Sequence, residues 1–400
     1  MHPAAEPAGP EPTGRALLPD LARGCALLGI AVVNVAMFAY PADTGYSAAA
    51  LATPQDRAAY FLVMALFALK SYSLFAMMFG AGVGQQFDAA QRQGRPAGRA
   101  YARRLLGLAL LGAVNVWALF MGDILLLYAA LGGLLWALCR RDAARLAIWG
   151  WACYALQLLL LAAVAALLLV WHSQAPDEVA AEVARSAALL AQAQAGFGAD
   201  GFLEVAQFRV RAWAEAIGPG LLLQGPGALA FMLLGLAALR RGWLQDVAHP
   251  QWQRCRRWWL PLGLVVSAAG AGLVVKGDMF ISPEAGLGIV LLTLGSPAAT
   301  MGYLGLLAWW AQRPAGAVRT ALARAGGASL SAYLLQGLLL SLVFSGYGLG
   351  LYAQPGAAAC IGIAAAAGLG SIILLAAWRR RFGRGPVEAL LRGFGSPGRR

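Results

Sequence analysis

Apolar runs of span length alternate with short polar, Arg-rich stretches along the 400 residues. A helix needs about 20 apolar residues to cross a bilayer. Ten runs approach that length: 21–40, 58–84, 105–121, 123–139, 146–171, 220–240, 258–275, 286–311, 326–346 and 357–378. The third and fourth are short and meet at a tight turn around Gly122. They read as re-entrant segments or as two full crossings, and their Arg-rich flanks favour two crossings. The pattern predicts an all-α membrane protein of about ten transmembrane helices, five in 19–171 and five in 220–395.

Two stretches fall outside that rhythm. Residues 1–18 are Pro-rich, have no small-residue cleavage site, and read as a disordered cytoplasmic tail. Residues 172–219 form a polar insert with two helical stretches. PDEVAAEVARSAALLAQAQAG is rich in Ala, and FLEVAQFRVRAWAEAIG is amphipathic, with Phe202, Val205, Phe208 and Trp213 near one side. The insert reads as an interfacial cap on the bundle. The alternative is a lid whose Arg209 and Arg211 meet an anionic substrate.

Composition agrees with a membrane location. Hydrophobic residues make up 60% of the chain and charged ones 12%, whereas soluble domains carry about 25% charged residues. The net charge of +13 comes from 29 Arg and 2 Lys. All but Lys70 are assigned to segments between or flanking the spans and not to a soluble basic domain, so the partner they imply is the lipid bilayer and not nucleic acid. With the N-terminus cytoplasmic, 25 basic residues fall on cytoplasmic segments and five on external ones. That asymmetry predicts a multi-pass protein of the bacterial inner (plasma) membrane with both termini cytoplasmic. The five cysteines have no metal-ligand spacing, so no metal and no bound cofactor are expected.

Candidate chemistry therefore resides in the few polar side chains within the spans. Asp20 is read as the N-cap of the first span. Asn34 lies eleven residues beyond Arg23, roughly 16 Å along a helix. It is either a helix–helix contact or part of a site. Lys70 is about a dozen residues into the second span, where a charge costs at least ~2.5 kcal/mol. Asp123 either caps the fourth span or acts as counter-ion to Lys70 or as a base. Ser329, Tyr333 and Gln336 share one face of the ninth span. The glycines of GAGVG (80–84) and GYGLG (346–350) are read as sites of close backbone approach.

Several blocks resemble the YeiB-like bacterial integral membrane proteins, a family defined by domain of unknown function 418. They are DLARGCALLGIAVVN from Asp20, KSYSLFAMMFGAG from Lys70, RRLLGLALLGAVNVWALFMGDILLLYA from Arg103, GGASLSAYLLQ from Gly326, GYGLGLY from Gly346 and GRGPVEALLR from Gly383. They occur in the family's order and span the chain outside the tail and most of the insert.

The opening block also resembles that of acyltransferase-3 and heparan-glucosaminide acetyltransferase proteins. The first type has His where this chain has Asn34. The second has Asn there and a catalytic His in the following external loop, where this chain has none. The family pattern also places a His at Asn115. The resemblance implies an acyltransferase-like helical bundle that moves an acyl group from a cytoplasmic donor such as acyl-CoA to an envelope-glycan or small-molecule acceptor. Arg23, Arg103 and Arg104 would meet donor phosphates. Lys70, Asn34 and Asp123 would line the reaction cavity, with Asn115, Ser329, Tyr333 and Gln336 binding substrate. Asn cannot take a proton, so the missing histidines leave two other readings open. One is a small-molecule transporter or exporter, and the other is a structural or regulatory membrane subunit.

Overall fold

The computed structural model describes residues 17–41, 45–94, 97–277 and 281–395. Residues 1–16 of the expected tail lie outside these. Leu17 and Leu18 already belong to the first helix, α1 (Leu17–Ala39).

All regular structure among the described residues is helical. A short 3-10 turn (Ala49–Leu51) precedes α2 (Pro54–Leu66) and α3 (Lys70–Arg92). Next come α4 (Ala97–Ala118), α5 (Leu125–Leu138), α6 (Ala143–Gln174), α7 (Pro176–Phe197) and α8 (Phe202–Arg240). The second half holds α9 (Pro250–Arg254), a π-helical turn (Cys255–Trp259), α10 (Leu260–Lys276), α11 (Pro283–Ala311), α12 (Ala317–Gly326), α13 (Ser329–Phe344), α14 (Ala357–Phe382) and α15 (Pro386–Gly395).

Seven helical segments are long and apolar enough to cross a membrane, or eight if α12 and α13, bent by 91°, count as one span. Every predicted run has a helix. The two short ones depart from the rest: α5 has 14 residues, and α4 begins with a charged, exposed stretch that includes Arg103 and Arg104.

Small residues set the packing. In a bilayer, helices associate through close van der Waals contact, which favours glycine at crossings. The α3–α8 crossing shows this reciprocally. A Cβ on Gly80 would lie 2.0 Å from the Met232 carbonyl oxygen, and one on Gly235 would lie 2.0 Å from that of Met77. Gly80 thus fulfils the packing role expected of its block.

Three sequence expectations are corrected. Asp20 is not an N-cap: it sits inside α1, and its carboxylate accepts a 2.8 Å hydrogen bond from Arg23. The second span is not continuous, because helical backbone stops at Leu66 and restarts at Lys70, with Leu69 at φ 63°. The insert's edges at 172 and 219 fall inside unbroken helices. α6 runs to Gln174, and α8 passes through Pro219 and Pro226 into the span that follows. Proline removes one ladder bond and strains the turn before it, yet α8 continues through both positions.

The insert closes one end of the bundle. At ~1.5 Å per residue α5 is about 21 Å long, short of the ~30 Å hydrocarbon thickness. Its last turn is tied to the opposite end, where Arg240 joins the Asp88 carboxylate (2.7 Å) to the Cys139 carbonyl (2.7 Å). α7 with the first half of α8 covers the α4–α5 turn. Met121 of that turn packs with Phe197, Val205 and Tyr352, and Trp117 meets Phe202 edge-on at 5.2 Å.

Candidate functional site

The α4–α5 turn brings the site residues together. Asn115 lies near the end of α4, and its Nδ2 donates to Asp123 Oδ1 at 2.8 Å. The other carboxylate oxygen accepts from the Leu126 backbone N–H at 2.9 Å, which caps the start of α5. Asp123 therefore caps the helix and also holds Asn115. Gly112 permits the approach, since a Cβ there would meet Asp123 Oδ2 at 2.8 Å and the Leu126 nitrogen at 2.9 Å. Asn115 is 1% exposed and Asp123 9%.

α13 supplies the opposite wall. The Tyr333 hydroxyl lies beside Asp123, Asn115 and the Ile124 backbone without completing a hydrogen bond. Gln336 donates to Ser371 Oγ of α14 at 3.0 Å. Four buried polar atoms of these helices have no hydrogen-bond partner: Asn115 Oδ1, Tyr333 OH, Gln336 Oε1 and the Tyr128 hydroxyl on α5. Buried polar groups in proteins are nearly all paired, so these atoms have capacity for a further partner.

The start of α13 is fixed from a distance. Glu388 of α15 accepts from the backbone N–H groups of Leu330 (2.8 Å) and Ser331 (3.2 Å) and from the Ser331 hydroxyl (2.5 Å). Ser331 in turn accepts from the Val387 N–H at 3.0 Å. Each side chain caps the other's helix, satisfying N–H groups that a helix leaves open at its start. This clamp joins the GGASLSAYLLQ and GRGPVEALLR blocks, and sequence spacing alone could not pair residues 57 apart.

The other predicted residues lie elsewhere. Lys70 is fully buried but does not pair with Asp123; its Nζ donates to the Met64 carbonyl at 3.0 Å. The neighbouring carbonyls of the α2–α3 break are also met. Leu66 accepts from Tyr303 at 2.8 Å, Leu69 from Ser296 at 2.9 Å and from Ser73, and Phe67 from the backbone N–H groups of Lys70 and Ser71. Asn34 is half-buried on α1 without a side-chain hydrogen bond. Arg23 is tied to Asp20 and, at 2.9 Å, to the Met78 carbonyl. Arg103 and Arg104 are exposed on α4, the helix against which α15 packs. Ser329 is half-buried at the first turn of α13. The sequence reading passed over Tyr128, Ser371 and Glu388, although Tyr128 and Glu388 lie in blocks it had quoted. Among the described residues, no group of His, Cys, Asp and Glu is arranged to hold a metal ion.

The fold and this buried acid–amide cluster define an all-α, multi-pass membrane protein with a polar interior. Residues 238–395 match the family model "Protein of unknown function (DUF418)". The chain is 27% identical over 394 residues to the uncharacterized protein YxaH of Bacillus subtilis, covering 93% of this chain and 92% of the relative. It is 27% identical over 382 residues to the uncharacterized protein YeiB of Escherichia coli, covering 93% and 94%. These findings support membership of the DUF418/YeiB-like family. No solved structure matches the chain.

Proposed function

We propose that the protein is a membrane acyltransferase, with Asp123 as the base that the missing histidines would otherwise supply. The carrying observation is a buried carboxylate oriented by Asn115 and the Leu126 N–H, facing a tyrosine and other polar atoms with spare hydrogen-bonding capacity. In this reading an acceptor hydroxyl gives its proton to Asp123 as its oxygen attacks the thioester carbonyl of an acyl-CoA-like donor. The C–S bond breaks, and the departing thiolate recovers the proton. A positioned base of this kind contributes roughly 10²–10⁴-fold. Arg103 and Arg104, exposed on α4, would hold the donor's phosphates, and the acceptor, a small molecule or an envelope glycan, would enter from the insert side. The positive-inside count supports placing that side outside the cell and both termini in the cytoplasm.

The α2–α3 break favours a second reading, transport without covalent chemistry. Interrupted helices near the bilayer midplane are common at transporter binding sites. The two readings separate on purified protein given labelled acyl-CoA. Acceptor-dependent release of free CoA, lost in Asp123→Asn, supports transfer. Flux into proteoliposomes with no CoA release would replace it with transport, and neither signal would leave a structural subunit.

A further inference from the structure

The insert carries two candidate arginines, and they have different surroundings. Arg211 is exposed beside Glu204 and Gln192 in an open surface pocket. Arg209 is 2% exposed, among the largest fully buried side chains in the protein. Its Nη1 donates to the Trp117 carbonyl at 2.9 Å, and its Nη2 reaches Ser341 Oγ at 3.3 Å and the Tyr347 hydroxyl at 3.4 Å. All three acceptors are neutral, and none of the ion pairs among the described residues includes Arg209.

A guanidinium cannot escape burial by losing its proton, and buried charges in proteins are normally paired. The C-terminal turn of α4 offers Arg209 only the partial negative charge of a helix end. A second observation comes from the same helix. Trp213 is one turn further along α8, on the face of Arg209, and its buried indole N–H has no hydrogen-bond partner. Trp213 packs in the same cluster as Tyr347. A guanidinium with only neutral partners and one unmet N–H thus lie one turn apart on α8, with the Ser341 and Tyr347 hydroxyls already bonded to Arg209.

Trp117 is two residues from Asn115, and Ser341 lies five residues beyond Gln336. The donors therefore stand about one or two helical turns from Asp123 toward the insert. We propose that Arg209 and Trp213 form an oxyanion subsite, and that the molecule received from the insert side carries a carboxylate or phosphate held there. This rests on reading the Asp123 region as the substrate site, and it adds the chemical class of that substrate.

The test is thermal unfolding of the full chain in a neutral maltoside detergent. Sodium phosphate and sodium acetate are each titrated against sodium chloride at matched ionic strength. A saturable rise in the unfolding midpoint is expected for the native chain and for Arg211→Gln, with no rise for Arg209→Gln. Trp213→Phe keeps the packing and removes one N–H, so apparent affinity should weaken roughly three- to tenfold. If Arg209→Gln does not fold, Arg209→Lys takes its place, because it keeps the charge and loses the planar fork.

Mixed micelles with phosphatidylglycerol or phosphatidylcholine form a second arm. A rise with phosphatidylglycerol alone supports the subsite and assigns the oxyanion to a lipid headgroup, whereas a rise with the free anions assigns it to a soluble substrate. No rise with any of these probes overturns the proposal, as does a rise undiminished in the Arg209 and Trp213 variants. Acyl turnover is not read in this experiment. Asp123→Asn should keep the anion response while losing transfer, so failure of either reading is seen separately.

Discussion

Two breaks in helical backbone among the described residues, at α2–α3 and at α4–α5, are completed differently. At the α2–α3 break the carbonyls of Met64, Leu66 and Leu69 accept from Lys70, Tyr303 and Ser296. At the α4–α5 turn Asp123 caps one helix and holds Asn115, yet polar atoms of Asn115, Tyr333, Gln336 and Tyr128 are left over. Irregular backbone at membrane depth survives only where protein or a polar cavity satisfies it. The first interruption is sealed by the protein's own groups, as a structural joint requires. The second retains unused bonding capacity. Depth and charge alone point to Lys70, whereas the unused hydrogen-bonding atoms lie around Asp123, which is why the proposed function is placed there.

The largest expected effect sharpens this contrast. Asp123→Asn keeps an oxygen to cap α5 but cannot act as a base. Transfer activity should fall by roughly 10²–10⁴-fold with the unfolding midpoint little changed. A variant with native turnover, measured by CoA release, would remove Asp123 from catalysis. Tyr303→Phe tests the other interruption. It orphans the Leu66 carbonyl and should cost about 1–3 kcal/mol of stability without altering turnover per folded molecule. Turnover falling more steeply than stability would break the division between joint and site.

Smaller effects probe whether the two interruptions communicate. Lys70 and Asp123 are held by different partners, so Lys70→Met and Asp123→Asn should be additive in stability within about 0.5 kcal/mol. A larger coupling in a double-mutant cycle, read by denaturation in detergent, would restore the ion pair that the sequence suggested. Tyr333→Phe removes an unpartnered hydroxyl. Stability should stay within about 0.5 kcal/mol, while the apparent KM for acceptor should rise several-fold if that hydroxyl binds substrate. An unchanged KM would leave the Tyr333 hydroxyl without a role in the site.

Much of the architecture is legible in the chain itself because membrane constraints act locally. A bilayer demands apolar runs of span length and satisfied backbone, so each predicted run corresponds to a helix. The glycines of GAGVG also announce a close crossing, although they do not say with which helix. The polar composition of 172–219 does not mark where its helices end, since α6 runs to Gln174 and α8 continues to Arg240. The helix passes through Pro219, which is exposed, and Pro226, which is half-buried.

The site was legible in kind but not in pairing. The sequence by itself determined that Lys70, Asp123, Asn115, Tyr333 and Gln336 lie among apolar residues, where polar groups are scarce and costly. It determined as well the all-α, multi-pass class. Only the tertiary structure decided that Asp123 bonds Asn115 and not Lys70, that Glu388 and Ser331 cap each other's helices, and that Arg209 is buried while Arg211 is not. Helix periodicity reports which residues share a face of one element. Which faces meet depends on how the short α4–α5 hairpin packs and how α7 and α8 close over it, which is a property of the whole packed bundle.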